Sequence, residues 1–217
     1  MRCISRIPEV IWVKYADDGL ALLLYNQGSM TDQIRTRQGL LSTTLEVKSD
    51  FPKSGKAALL IKPDKPAEFR LALRVPAWTS RFEARAQGRT YSGTPGQFLN
   101  ISRIWRPGDT VQIDMDMNDH LIEGGPSYRG YYAFQHGPQI LSLDGRLSLA
   151  ALGEVRVNPV EGIKLIPERE SLPDDWIGNQ AYSTPALLAV GSAVLVPFAD
   201  TGQQGPTHTY RSWIKEK

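Results

Sequence analysis

Cysteine is almost missing from this chain. A single one, Cys3, stands among 217 residues. No intramolecular disulfide can form, which favours a reducing compartment without excluding secretion. Metal centres need several ligands at suitable spacing, and one cysteine near a terminus supplies one. Cys3 is therefore read as an ordinary thiol, and no cofactor is expected. Histidine is scarce as well: His120, His136 and His208 lie far apart and fit no H-x-x-H or H-E-x-x-H spacing. No G-x-S-x-G elbow raises the case for a serine nucleophile. Long apolar runs are lacking too. Leu20–Tyr25 and Ala186–Val190 are among the longest, far short of the roughly 20 residues of a membrane span. Neither sign of charge dominates: 25 Lys and Arg face 23 Asp and Glu, a net charge of +2. Neither a nucleic-acid nor a membrane partner is expected. The first ten residues carry charge but no apolar h-region, so the chain as written has no export signal and reads as cytoplasmic. The compartment of any longer parent is undetermined.

What the chain does have is alternation. Phe69, Leu71, Leu73 and Val75 alternate with Arg70, Ala72 and Arg74. Val111, Ile113, Met115 and Met117 alternate with Gln112, Asp114 and Asp116. A period of two sends one set of side chains to a buried face and the other to water. Between these runs lies Trp105-Arg106-Pro107-Gly108-Asp109, a turn in which Pro fixes φ and Gly permits positive φ. The 19 glycines and 15 prolines suit many strands joined by tight turns.

Ile11–Tyr15 and Leu20–Tyr25 flank an Asp-Gly turn and read as a hairpin, the second arm apolar enough to be covered on both faces. Leu41–Ser49, Ala57–Ile61, Phe82–Ala86 and Phe98–Ile101 read as further strands, with a loop over Lys62–Pro66. Tyr131–Phe134 and Gln139–Leu143 flank a turn at His136-Gly137-Pro138. Ala186–Val190 and Ala193–Phe198 read as a hairpin around Gly191-Ser192, and Thr209–Ile214 as a closing strand. The predicted fold is all-β, two consecutive antiparallel β-sandwich domains over residues 1–118 and 119–217.

Several side chains invite a chemical reading. Asp114 and Asp116 share a strand face, with Asp119 nearby, and paired carboxylates perform acid–base work in glycosidases. The polar face of an amphipathic strand explains them more simply. Asp17-Asp18-Gly19 lacks the distal Glu of a calcium loop. His136 reads as structural or exposed. Trp12, Trp78, Trp105, Trp176 and Trp213 could stack on sugars, but Trp78 and Trp105 sit where strands pack. Trp176, in the loop Pro-Asp-Asp-Trp-Ile-Gly, is the candidate for an exposed carbohydrate-binding ring.

Ordered blocks of this sequence resemble the C-terminal part of glycoside hydrolase family 127, the β-L-arabinofuranosidase group. They are Asp17-Asp18-Gly19-Leu20 with Leu24-Tyr25, then Leu71–Trp78, Ile104–Asp109, Arg129–Phe134 with His136-Gly137-Pro138, Leu195–Ala199 and Gly205-Pro206. The resemblance implies an N-terminal (α/α)6 barrel followed by two β-sandwiches. It also implies that catalysis, with a nucleophilic cysteine and a zinc ion held by cysteines and a glutamate, belongs to the barrel. Cys3 has no neighbouring cysteine and receives no catalytic role. The expected function is a non-catalytic C-terminal portion of such an enzyme, inactive alone. The alternatives are a freestanding carbohydrate-binding module and a structural partner of a separately encoded barrel. Its expected partners are accordingly a barrel in trans or a glycan.

Overall fold

The structure is a computed structural model and describes residues 11–16, 18–37, 39–160, 163–168, 172–203 and 209–217. Cys3, Asp17, Gly205-Pro206 and His208 lie outside the described residues, as does the ambiguous segment before Ile11. Two compact units meet in sequence between Met117 and Asn118.

The first unit contains β1 (Trp12–Tyr15), β2 (Gly19–Leu22), β3 (Gly28–Thr36), β4 (Gly39–Ser49), β5 (Lys56–Pro63), β6 (Ala67–Arg74), β7 (Phe82–Ala86), β8 (Arg89–Gly93), β9 (Phe98–Trp105) and β10 (Asp109–Met115). They form a sheet in the order β1-β2-β6-β9 and another in the order β3-β4-β5-β10-β7-β8. Alternation explains the second sheet. Val47 pairs with Leu59, Leu59 with Val111, and Val111 with Ala86, so one apolar row crosses four strands. From the first sheet, Leu20, Leu22, Phe69, Leu71, Leu73, Ile101 and Trp105 join the same core. One core filled from two sheets is a sandwich. Trp105 is fully buried, and its indole N–H donates to the Phe69 carbonyl at 3.1 Å.

The hairpin β1–β2 forms as read, and every residue of β2 is buried between β1 and β6. Most pairs are antiparallel; β2 and β6 are parallel, with Leu20 opposite Leu71 and Leu22 opposite Leu73. The chain passes through β3, β4 and β5 of the other sheet before returning, so it can re-enter in the same direction. Ala72, expected in water, is fully buried opposite Ala21. The same sheet face carries Tyr15 and Phe98, whose rings meet at 5.5 Å, and Arg70, whose guanidinium lies 5.9 Å from the Tyr15 ring centroid. Larger side chains thus cluster on the face where alanine leaves room. β5 runs on to Pro63, into the expected loop, because pairing with β10 stops at Ile61 and the missing N–H is not needed on that side. β9 likewise extends through Trp105, and the following turn has Gly108 at φ +92°.

The second unit contains β11 (Asp119–Glu123), a 3-10 turn at Pro126–Tyr128, β12 (Tyr131–His136), β13 (Gln139–Asp144), β14 (Arg156–Val157), β15 (Ile166–Pro167), β16 (Tyr182–Ser183), β17 (Leu187–Leu188), β18 (Leu195–Pro197), β19 (Tyr210–Arg211) and β20 (Ile214–Glu216). β12 and β13 pair only near their turn, from Phe134↔Leu141 to His136↔Gln139. Beyond that point the arms take different partners. β13 pairs with β18 and β19, while β12 pairs with β20. The strands thereby join in the order β15-β16-β18-β13-β12-β20-β14-β17, with β11 on β12 and β19 on β13, and Phe134, Leu141, Leu143, Val157, Leu195 and Ile214 form their core. The expected closing strand is accordingly broken at Ser212-Trp213, where Ser212 and Ser142 share a 2.7 Å hydroxyl hydrogen bond. The hairpin expected around Gly191-Ser192 does not form. β17 pairs with β14, whereas β18 pairs with β13 and β16. The apolar residues of the two arms fill different positions in the unit, and Gly191, at φ +92°, carries a longer connection.

Candidate functional site

Trp176 is buried, with 7% of its surface exposed, so the expected display of its ring is corrected. The loop closes on itself where the Trp176 N–H donates to the Pro173 carbonyl at 2.9 Å. The indole then packs with Ala181, Val194, Val196, Leu147 and Leu172. Arg146, held by a 2.6 Å ion pair to Asp175, lies 6.0 Å from the ring centroid. Ile177, the next residue, takes the outward position.

The carboxylates of β10 and the residue just beyond it are held by one arginine. Arg81 Nη2 contacts Asp116 at 2.8 Å and Asp114 at 3.6 Å, and Arg81 Nη1 contacts Glu83 at 3.5 Å. The Asp116 hydrogen bond and charge raise the guanidinium pKa further above its usual value. Three carboxylates around one permanent cation form a surface ion network.

Asp119 and His136 form a dyad that the spacing along the chain did not reveal. They sit opposite one another on β11 and β12, with Asp119 Oδ1 2.7 Å from His136 Nδ1. Asp119 Oδ2 accepts the Leu165 N–H at 3.3 Å, and the His136 ring lies 5.2 Å from that of Tyr182. The carboxylate ties a loop to the sheet and orients the imidazole, a bracing role. His120, its neighbour on β11, is exposed.

The exposed rings lie elsewhere. Trp12 and Trp105 are buried, and Trp78 stacks on Phe51 against the first unit's core. Trp213 is partly exposed. Its ring stacks on Tyr128 with centroids 5.1 Å apart and planes 22° from parallel. Tyr131 meets Tyr128 edge-on at 6.1 Å. Trp213 stands in the break just before β20, and on that strand Ile214 points into the core and Lys215 outward. Tyr131, opposite Lys215, shares that face.

In the first unit, the outer face of the six-stranded sheet forms an open trough of about 900 Å³, lined among others by Thr44, Glu46, Lys48, Lys56, Lys62 and Gln112. Ala58, between Lys48 and Gln112, leaves its floor low. Glu46 accepts from Lys62 at 2.9 Å and lies 3.7 Å from Lys48. The Lys62 hydrogen bond and charge lower its carboxyl pKa.

The zinc centre implied by family resemblance requires more than one cysteine ligand, and Cys3 is the only cysteine in this sequence. The residues present do not fit that donor set. Among the described residues, no group of three His, Cys, Asp or Glu side chains gathers as metal ligands would. No helix among them is long and apolar enough to cross a membrane.

Comparison with known proteins shows what this chain is similar to. Residues 20–117 match the family model described as the middle domain of GH127 β-L-arabinofuranosidase. Three solved structures share the fold. A GH127 β-L-arabinofuranosidase from Geobacillus stearothermophilus T6 is 21% identical with a TM-score of 0.80, over 100% of this chain and 36% of its own. A GH127 β-arabinofuranosidase is 19% identical with a TM-score of 0.77, over 100% of this chain and 37% of its own. A protein described as a glycoside hydrolase is 21% identical with a TM-score of 0.75, over 93% of this chain and 36% of its own. The chain thus spans little more than a third of the length of these structures. A comparison with curated proteins finds no match. Residues 20–117, which include nine of the ten strands of the first unit in whole or nearly so, thus match the middle domain of glycoside hydrolase family 127.

Proposed function

We propose that this chain serves as the non-catalytic β-sandwich portion of a family 127-like glycoside hydrolase, bracing a catalytic barrel that performs the hydrolysis. The observation that carries this reading is the middle-domain match at residues 20–117, set within a fold likeness running the length of the chain. The test is release of arabinose from a β-L-arabinofuranoside, with zinc supplied. The purified chain alone is expected to be inactive, and the chain joined to or mixed with a family 127 barrel to support turnover. Zinc-dependent release by the chain alone would overturn the proposal.

A further inference from the structure

We infer that Tyr128, Tyr131 and Trp213 form a glycan-binding platform, taking the apolar face of a sugar ring in a furanoside-containing oligosaccharide. None of the three belongs to the hydrophobic cores of the second unit. Tyr128 is 48% exposed, and Tyr131 and Trp213 are partly exposed. The stacked Tyr128–Trp213 pair and the edge-on Tyr131 therefore place aromatic surface outside the packed interior.

The platform is held by backbone. The Tyr128 N–H donates to the Gly125 carbonyl at 2.8 Å, the Gly124 N–H to Tyr131 at 2.8 Å, and the Glu216 N–H to Gly130 at 2.9 Å. These bonds fasten both ends of the connection bearing Tyr128. Gly124 allows it to close, since a Cβ there would lie 2.2 Å from the Tyr128 carbonyl oxygen. Gly130 turns the chain into β12 at φ +73°. Side chains presented on a fastened backbone lose less freedom when a ligand arrives.

The chemistry of the rim selects the occupant. Tyr and Trp combine a flat apolar body with a polar handle. Exposed Ser127 and Arg129 flank Tyr128 in sequence, and exposed Lys215 lies opposite Tyr131, so polar donors are at hand. A sugar presents the complementary pattern, a C–H face bordered by hydroxyls. The choice of a glycan over another flat ligand rests on the glycoside-hydrolase reading proposed above.

The experiment titrates the whole chain with soluble arabino-oligosaccharides, using xylo-oligosaccharides for comparison, by calorimetry and tryptophan fluorescence. Tyr128→Ala, Trp213→Ala and Trp213→Phe are titrated alongside, each first checked for an unchanged circular dichroism spectrum. Tyr128→Ala removes an exposed ring, so it keeps the test open if a Trp213 variant misfolds. Saturable binding to the parent is expected, weakened about tenfold by either alanine variant, the loss for roughly 1.4 kcal/mol of ring contact. Trp213→Phe should retain part of the affinity. No saturable signal, or binding that Tyr128→Ala leaves unchanged, overturns the inference. Self-association abolished by Tyr128→Ala, without glycan binding, would assign the rings to a second copy and overturn it as well. The two proposals fail separately: activity with a barrel but no binding here defeats only the platform, whereas arabinose release by the chain alone defeats the non-catalytic reading.

Discussion

Replacing Trp105 tests the packing of the first unit at its largest fully buried side chain. The indole is inaccessible to solvent, its ring centroid lies 6.0 Å from that of Phe69, and its N–H donates to the Phe69 carbonyl at 3.1 Å. Arg103 places its guanidinium 5.1 Å from the ring centroid. Trp105→Ala removes the transfer energy of the ring and opens a cavity between the sheets, costing about 3–5 kcal/mol. Trp105→Phe retains much of the volume but loses the hydrogen bond, a term of about 1 kcal/mol, plus a smaller packing defect. Urea denaturation monitored by far-ultraviolet circular dichroism measures both. With a slope of about 2 kcal/mol/M, the alanine variant should move the midpoint down by roughly 1.5–2.5 M. The phenylalanine variant should fall between it and the parent. A loss below about 1 kcal/mol for Trp105→Ala would refute the placement of this ring in the shared core.

Two other perturbations separate further terms. Gly55→Ala should cost about 3 kcal/mol or more, because its Cβ would sit 1.9 Å from the Met115 carbonyl oxygen. Gly108→Ala, at φ +92° with no atom within 4 Å of the new Cβ, should cost only about 1–2 kcal/mol of backbone strain. Equal losses in thermal melts would refute the close approach at Gly55. Burial pushes the Tyr25 phenol far above its usual pKa, while its hydroxyl donates to the Arg74 carbonyl at 2.6 Å. The unfolded phenol ionises from about pH 10 while the folded one stays protonated, so stability should fall as pH rises through and above that value. Tyr25→Phe should lose about 1 kcal/mol at neutral pH and flatten this alkaline decline. An unchanged alkaline slope would remove Tyr25 as its source.

Strands with one wet face were readable because their alternation survives in composition. β4, β6 and β10 each bury alternate apolar residues, with two exceptions: Thr43 on β4, outweighed by its apolar neighbours Leu41 and Leu45, and Ala72 on β6, buried out of phase. β3 escaped because its nine residues bury only Ile34 and otherwise form a polar edge. β11 fell in a segment that reads as a connection, since none of its residues is fully buried. Several strands of the second unit have only two residues, too few to show any period, and their partners are distant in sequence. The platform was hidden for a related reason. Composition makes Trp176 and Trp213 equivalent, and only the fold buries the first and leaves the second partly exposed.

The blocks that make the family resemblance readable encode backbone geometry. Gly19 leaves room for β2 to lie beside β6, since a Cβ would stand 2.6 Å from the Arg70 carbonyl oxygen. Val75, after the Leu71–Leu73 strand, exchanges backbone hydrogen bonds with the Gly96-Gln97 turn. Trp105 plugs the core, and in the next turn Asp109 Oδ2 accepts the Arg106 N–H at 2.9 Å while Gly108 takes positive φ. Gly137, at φ +52°, makes the β12–β13 turn. Each of these requirements is met by a few residue types, so each leaves a mark that can be read from one sequence. A ligand site built from side chains distant in sequence leaves no comparable mark: Tyr128, Tyr131 and Trp213 come together only when β20 pairs with β12. The same physical constraint therefore makes the domain's family resemblance readable and the proposed binding surface hard to foresee.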